Sequence, residues 1–475
     1  ALSSAASDVY KRQTNDDQAI YLAANSTTYI SGSPTIKGAN CGFYLEANTA
    51  KLYGRSATST STKYTGSKIG VECNLTAFTS KRTAVYDGTT TYFSCANPGY
   101  SFVANGSNLD IDMNAATVTK SSGINKTYNG SASNISVTPS HTLSVSYSYQ
   151  WYNSSGTAIS GATTNTLSRT NVADSGTYYC IVTAKQNSFS KSANSGNITV
   201  TIARAAGKVT LSPTSGSVTY GTGSTTFTAT TNSGTLSVTA DNTTATVGIN
   251  NGTVTISTLA ALNAGTTIKV TVSAAQSANY TAASAVYTLT ITKANINPSV
   301  TMTGYTYAGT KTNPSVSGNT GKGTVTYYYS TSNTNTGGTE WSKVTSSTSL
   351  NAGTYYMYAV IDATTNYNGK TTTAKAFTIS QATGTVTLTP NSGSVAYGTG
   401  STTFKATTNS GTLSVTDDHG TAEVAINSGT VTISTLSALN AGTTIKVTVS
   451  AAASTNYTAA SAVYTLTITK ANINP

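Results

Sequence analysis

Ionisable side chains are scarce in this chain: only 9% of its 475 residues are Asp, Glu, Lys or Arg, and there are two His and four Cys. Acid/base catalysis and metal binding both need such groups in clusters, so no catalytic residue, metal site or cofactor is expected. No GxSxG, HExxH, P-loop or CxxC string occurs, which removes the common nucleophile, zinc, nucleotide and redox motifs. Nor does any run of about 18 apolar residues, so no membrane-spanning helix is expected.

Basic residues outnumber acidic ones, 26 to 15, giving a net charge of +11. The lysines are scattered, with only Lys11-Arg12 and Lys81-Arg82 adjacent, and neither pair belongs to a basic stripe with interleaved aromatics. A phosphate backbone needs such a stripe, so nucleic acid is not an expected partner. The cysteines, Cys41, Cys73, Cys95 and Cys180, match no zinc or redox spacing. A Cys41–Cys73 or Cys73–Cys95 bridge and buried free thiols both stay open.

What the chain does contain is a duplication. Residues 207–298 and 384–475 align without a gap, with 78 of 92 positions identical. Each copy is longer than a solenoid repeat and long enough to be a domain. Within a copy, GTVTISTL at 252–259 and TIKVTVSA at 267–274 alternate apolar residues with Thr, Ser and Lys. That period puts Val254, Ile256, Ile268, Val270 and Val272 on the inward faces of half-buried strands. In SAVYTLTITKA at 284–294, Tyr287, Leu289 and Ile291 face opposite to Val286, Thr288 and Thr290. Turn strings such as TNSGT and INNGT at short intervals complete the pattern of a β-sandwich or barrel.

Residues 120–204 hold Trp151 in YQWY and then DSGTYYC at 174–180. This resembles an immunoglobulin (Ig) domain. The resemblance implies that Trp151 packs in the core, that Tyr178 forms the tyrosine corner, and that Cys180 occupies the position that normally bridges to strand B. Ile135 and Val137 stand where the partner cysteine belongs, so Cys180 is expected as a buried free thiol. Gly353-Thr354-Tyr355 repeats the Gly176-Thr177-Tyr178 corner; the duplicated copies have Gly265-Thr266-Thr267, which implies an inward register shifted by one. With their ANY or TNY turns and closing ITKA or TISQA strands, these segments resemble the bacterial Ig-like repeats of MBG type.

Upstream, GSPTIKG, FYLEAN and YFSCANPGY resemble the last coils and closing strand of a right-handed parallel β-helix. Residues 8–13, DVYKRQ, match a translated sequencing-adapter end, so residues 1–13 are expected to be an artefact on a metagenomic fragment. The expected fold class is therefore all-β, a truncated parallel β-helix end followed by tandem Ig-like β-sandwich domains. The expected boundaries are 14–118 for the β-helix end, 119–205 for the Ig-like domain, 206–293 for repeat A1, 294–382 for domain B and 383–470 for repeat A2. Residues 470–475 repeat the KANINP of 293–298, and 471–475 read as the start of a further domain. The junctions are only a few residues long and imply a semi-rigid array.

Candidate sites are few. Asp110 and Asp112 share a strand face as paired carboxylates do in glycosidases, but with no basic neighbour in sequence they read as solvent-facing. Asp417, Asp418 and Glu423 offer hard oxygen ligands, yet repeat A1 has Ala240, Asp241 and Thr246 there. His419 is Asn242 in A1 and reads as a loop residue; His141 is the other histidine. Asp362 is the one acid placed to assist a Lys–Asn isopeptide bond. Tyrosine is abundant, with 30 residues, and in the runs at 327–329 and 355–358 alternate rings face outward, making Tyr328 and Tyr356 the candidate ligand contacts.

Together these features imply a non-catalytic stalk or adhesin segment of an extracellular bacterial surface protein. Its domains would project a head domain and bind host or bacterial surface glycans or proteins. The alternative is a spacer or carbohydrate-binding region of a secreted polysaccharide-degrading enzyme whose catalytic β-helix lies upstream.

Overall fold

The computed structural model describes residues 2–4, 9–10, 21–22, 24–30, 43–45, 50–54, 68–75, 81–345 and 349–472. Their regular structure is strand, interrupted by short 3-10 turns. The chain divides into two compact units, Ala1–Thr210 with Thr230–Ser237 and Ser273–Ala285, and Leu211–Ala229 with Val238–Val272 and Val286–Pro475.

The first unit opens with two parallel ladders between which the chain alternates. One joins Tyr21–Leu22, Phe43–Leu45, Ile69–Cys73 and Phe93–Cys95, and the other joins Thr27–Ile30, Lys51–Tyr53 and Arg82–Tyr86. Leu22, Phe43, Leu45, Leu52, Val71 and Val85 point between the ladders and are fully buried. On the opposite face Tyr29, Tyr53 and Tyr86 stack with centroids 4.6 and 4.9 Å apart, the separation that strand spacing imposes on rings in register. Asn97 extends one ladder, accepting the Cys73 N–H at 2.8 Å and donating to the Cys73 carbonyl at 2.9 Å. The antiparallel hairpin of Tyr100–Asn105 and Asn108–Met113 pairs with Arg82–Tyr86 and ends the parallel order.

A two-sheet sandwich follows. Thr117–Lys120, Ser133–Ser140 and Thr166–Arg169 form one sheet. Ile124–Thr127, Ile198–Ala203, Gly176–Gln186 and Ser146–Asn153 form the other, with the first pair parallel. Ile135, Val137, Trp151, Cys180, Val182 and Val200 fill the space between them. The hairpin of Gly176–Gln186 and Phe189–Asn194 reaches back to the upstream hairpin, burying Phe189 edge-on against Tyr100 with centroids 5.1 Å apart.

In the second unit, repeat A2 is an eight-stranded sandwich with sheet orders Val386–Thr389, Thr402–Thr408, Thr430–Ser434, Glu423–Asn427 and Ser392–Ala396, Ala460–Thr469, Thr444–Ala451, Leu413–Asp417. Ser392–Ala396 runs parallel to Ala460–Thr469, as the corresponding strands do in the Ig-like sandwich. The Thr/Val alternation explains the layering: Ile445, Val447 and Val449 are fully buried while the residues between them face outward or lie at the margin, and each such burial contributes about 1.5–3 kcal/mol. Repeat A1 pairs Ser215–Thr219 with Ala283–Thr292 and Thr225–Thr231 with Thr253–Ser257 in the same way. Its Val254, Ile256, Ile268, Val270 and Val272 are fully buried and Val286 is exposed, as the period required. The inward residue after Gly265 is Ile268, one position later than Tyr178 after Gly176, so the expected register shift is present.

Domain B is thinner. Its larger sheet runs Tyr305–Thr306, Lys375–Ser380, Gly353–Ile361, Val325–Ser330 and Thr339–Glu340, with Lys370–Thr371 paired to Gly353–Ile361. Among the described residues the facing sheet has only Ser299–Thr301 and Ser315–Ser317. The gap is filled by Trp341 on the 3-10 turn Trp341–Lys343, which packs edge-on against Phe377 with centroids 5.6 Å apart.

Candidate functional site

The three Ig landmarks occupy one core. Trp151 pairs across strands with Cys180, is fully buried, and donates Nε1–H to the Thr164 carbonyl at 2.9 Å. The Tyr178 hydroxyl donates to the Asp174 carbonyl at 2.8 Å, closing a tyrosine corner. Tyr355 of domain B donates to the Asn351 carbonyl at 3.1 Å in the same way. Cys180 is a free thiol, and burial pushes its pKa from 9.0 up to about 11. The unfolded thiol ionises near 9.0, so the protonated-thiol preference stabilises the fold fully below that pH and is lost as pH rises through about 11. Alkaline titration of this sandwich should show a stability slope approaching one proton in that window. A Cys180→Val chain, compared by hydrogen exchange at the two pH limits, should lack that contribution.

Several sequence expectations need correction. Cys95 is a free thiol, so the Cys73–Cys95 bridge is not made; a bridge from Cys41 lies outside the described residues. Asp110 and Asp112 are not solvent-facing but only 6% and 7% exposed. Asp110 accepts from the Thr83 hydroxyl at 2.7 Å and Asn105 Nδ2 at 3.0 Å, while Asp112 pairs with Lys191 Nζ at 2.8 Å. Both are thus spent on holding the hairpins together, and the basic partner comes from a strand distant in sequence. Asp362 is exposed, without the burial that assisting an isopeptide bond requires.

Asp241, Asp417, Asp418 and His141 make structural hydrogen bonds as well. Asp418 Oδ1 accepts the Lys446 N–H at 2.8 Å, as Asp241 accepts that of Lys269 in repeat A1. Asp417 Oδ1 accepts the His419 N–H at 2.8 Å. Among the described residues no group of three or more His, Cys, Asp or Glu side chains is placed to hold a metal ion. His141 bridges a loop, its Nδ1 accepting from Leu143 N–H at 3.0 Å and its Nε2 meeting the Asn114 carbonyl at 2.9 Å.

Tyr328 and Tyr356 lie on the outer face of the domain B sheet, opposite Tyr358 and Ser330 respectively. Tyr328 stacks on Tyr358 at 5.4 Å. The face is less open than the alternation implied: both rings are half-buried, and Tyr358 is 3% exposed beneath the chain's own loop, its hydroxyl accepting the Gly338 N–H at 2.9 Å. A groove of about 470 Å³ lies elsewhere, lined by Tyr305, Tyr307, Lys311, Leu350 and Tyr457 among others. Lys311 is drawn over the Trp341 ring, 4.3 Å from its centroid, and donates to the carbonyls of Trp341 and Val344. Its partial burial lowers its pKa.

The most developed constellation is one that the sequence presented only as turns. Asn279-Tyr280, Asn366-Tyr367 and Asn456-Tyr457 each grip the preceding domain by the same four contacts. The Asn side chain accepts a backbone N–H from Val172, Ala264 or Ala352 at 3.0, 2.9 and 2.8 Å. Its Nδ2 donates to Asn171, Asn263 or Asn351, each at 3.0 Å. The Tyr ring packs edge-on against Tyr128, Tyr220 or Tyr307, with centroids 5.4, 5.5 and 5.5 Å apart. The Tyr backbone also pairs in parallel with the linker residue Ala205, Ala294 or Ala382. One amide side chain thereby satisfies a donor and an acceptor at once, while the aromatic pair contributes about 0.5–1.5 kcal/mol more.

Strand order, tyrosine corners and sandwich cores together define an all-β chain of tandem Ig-like domains. No protein-family model matches it, and no curated protein matches it by sequence. Among solved structures it is similar to Sidekick-1 immunoglobulin domains 1–4, at 10% identity over 74% of this chain and 99% of that one with a TM-score of 0.22. It is also similar to the insect immune protein hemolin, at 13% identity over 74% and 100% with a TM-score of 0.23. A further likeness is to Drosophila N-cadherin EC1-4, at 10% identity over 73% and 98% with a TM-score of 0.22. With scores this low, the fold assignment rests on the sheets and cores above. Among the described residues no helix is long and apolar enough to cross a membrane.

Proposed function

We propose that the chain is a non-catalytic stalk segment of an extracellular bacterial surface protein, built from MBG-type Ig-like domains that follow the end of a parallel β-helix. The observation that carries this reading is the threefold recurrence of the Asn-Tyr staple. A spacer must hold neighbouring domains in fixed register, and here three junctions of different sequence use the same contacts. The alternation of two parallel ladders upstream supports the β-helix assignment, and the low share of ionisable residues, 9%, supports a non-enzymatic role.

The test is to replace Asn279, Asn366 and Asn456 together with Ala and to follow hydrogen exchange of the full chain. Each lost hydrogen bond is worth about 1 kcal/mol, so the Val172, Ala264 and Ala352 amides should exchange roughly fivefold to tenfold faster while the sandwich cores stay protected. Unchanged exchange at these amides would remove the basis of the stalk reading.

The groove lined by Tyr305, Tyr307 and Tyr457 favours, as a second reading, a carbohydrate-binding region accessory to a polysaccharide-degrading enzyme. A glycan array probed with the full chain separates the two. Capture lost on Tyr328→Ala and Tyr356→Ala assigns adhesion to the tyrosine face, and capture lost only on Tyr305→Phe assigns it to the groove. Absence of capture leaves the spacer role alone.

A further inference from the structure

Repeat A2 carries the same receiving half of a staple as repeat A1. Tyr397 stands where Tyr220 stands in A1, and its backbone is fixed identically: each N–H donates to the carbonyl of the closing strand, Thr469 or Thr292, at 2.8 Å. Asn440-Ala441 likewise stands where Asn263-Ala264 stands, immediately before the corner glycine. In A1 these groups are covered by Asn366-Tyr367 of domain B. In A2, Tyr397 is 51% exposed and Ala441 is exposed where Tyr220 and Ala264 are half-buried, while the Asn is exposed in both copies. Val463 is also exposed, but so is its A1 counterpart Val286, so that feature belongs to the repeat itself. The staple surface therefore differs between two domains of nearly the same sequence.

We infer that this surface takes a B-type Ig-like domain when one is placed in tandem after it, through that domain's Asn-Tyr turn. The occupant follows from chemistry already occupied elsewhere in the chain: a ring to meet Tyr397 edge-on, an amide oxygen for the Ala441 N–H, and an amide nitrogen for Asn440 Oδ1. The linker at 293–298, which leads from A1 into B, is identical to 470–475. The inference shares with the stalk reading the staple contacts of the occupied junctions but does not need the chain to serve as a stalk.

The test appends residues 299–470 after Pro475, so that A2 is followed by the same linker and the same B–A2 tandem that follows A1. Hydrogen exchange of Ala441 is read against Ala264 in the same molecule. In the unextended chain Ala441 should exchange freely while Ala264 is protected. In the extended chain Ala441 should slow at least tenfold toward the Ala264 rate, and Tyr397→Ala, or Asn366→Ala in the appended copy, should reverse most of that gain. Because the tandem folds after A1, an appended tandem that fails to fold or leaves Ala441 unprotected overturns the inference. Protection of Ala441 in the unextended chain that grows with protein concentration also overturns it, by assigning the surface to a second copy.

Discussion

Trp151→Ala is expected to unfold the Ig-like sandwich at 117–203 while leaving domain B folded. The side chain is fully buried and pairs across strands with Cys180. Removing a buried Trp costs about 3–5 kcal/mol through lost burial and the cavity left behind, against a total of about 5–15 kcal/mol for a typical domain. This sandwich is more exposed to that loss than a disulfide-bonded one, because Cys180 faces no cysteine and the cross-link, typically worth about 2–4 kcal/mol, is missing. The readout is hydrogen exchange of the amides in Gly176–Gln186, with Trp341 emission reporting that domain B is intact. Tyr178→Phe, which loses only the hydroxyl bond to the Asp174 carbonyl, should cost about 1 kcal/mol. Equal exchange in Trp151→Ala and the unmodified chain would show that the core is held by other residues.

The contrast between what was and was not legible in the sequence has a physical origin. Period-two alternation in the A repeats is a local signal, and it placed Val254, Ile256, Ile268, Val270 and Val272 correctly because one face of each strand meets the core and the other meets water. Asp110 and Asp112 broke that logic. Both faces of Asn108–Met113 are covered, and Lys191, the ion that makes Asp112 tolerable there, arrives from a hairpin of the next sandwich. The outward tyrosines of domain B were read with the right alternation but the wrong exposure, since the loop over Tyr358 comes from residues outside the strands being read.

The staples were half visible. The ANY and TNY turns stood out, but their receivers, Asn171, Asn263 and Asn351, look like ordinary residues before a corner glycine until the fold brings them together. The same limit hid why certain glycines recur. A Cβ on Gly384 would lie 2.0 Å from the Thr458 carbonyl oxygen, and one on Gly207 would lie 2.0 Å from that of Thr281. The linker therefore passes too close to the Asn-Tyr turn for any side chain, a requirement no local pattern expresses.

Trp341→Ala should be as damaging to domain B, for a different reason. Among the described residues the facing sheet of this domain consists of Ser299–Thr301 and Ser315–Ser317 alone, so Trp341 supplies a large part of the apolar surface that Met357, Ala359 and Phe377 bury. Its loss is expected to cost about 3–5 kcal/mol and to release Lys311, which now covers the ring and donates to the Trp341 and Val344 carbonyls. The two tryptophans also differ in polarity. Trp151 uses its Nε1–H on the Thr164 carbonyl, whereas Trp341 Nε1 is buried with no hydrogen-bond partner among the described residues. Leaving a buried donor unpaired costs about 1–3 kcal/mol, and Trp341→Phe removes that penalty along with some volume. Trp341→Phe should therefore be much milder than Trp341→Ala, whereas Trp151→Phe gives up a hydrogen bond as well as volume. Denaturant melts of the single variants, followed by hydrogen exchange in Gly353–Ile361 and Gly176–Gln186, test this order. Equal losses for the two Phe substitutions would mean that ring volume alone, and not the indole N–H, sets the stability of both cores.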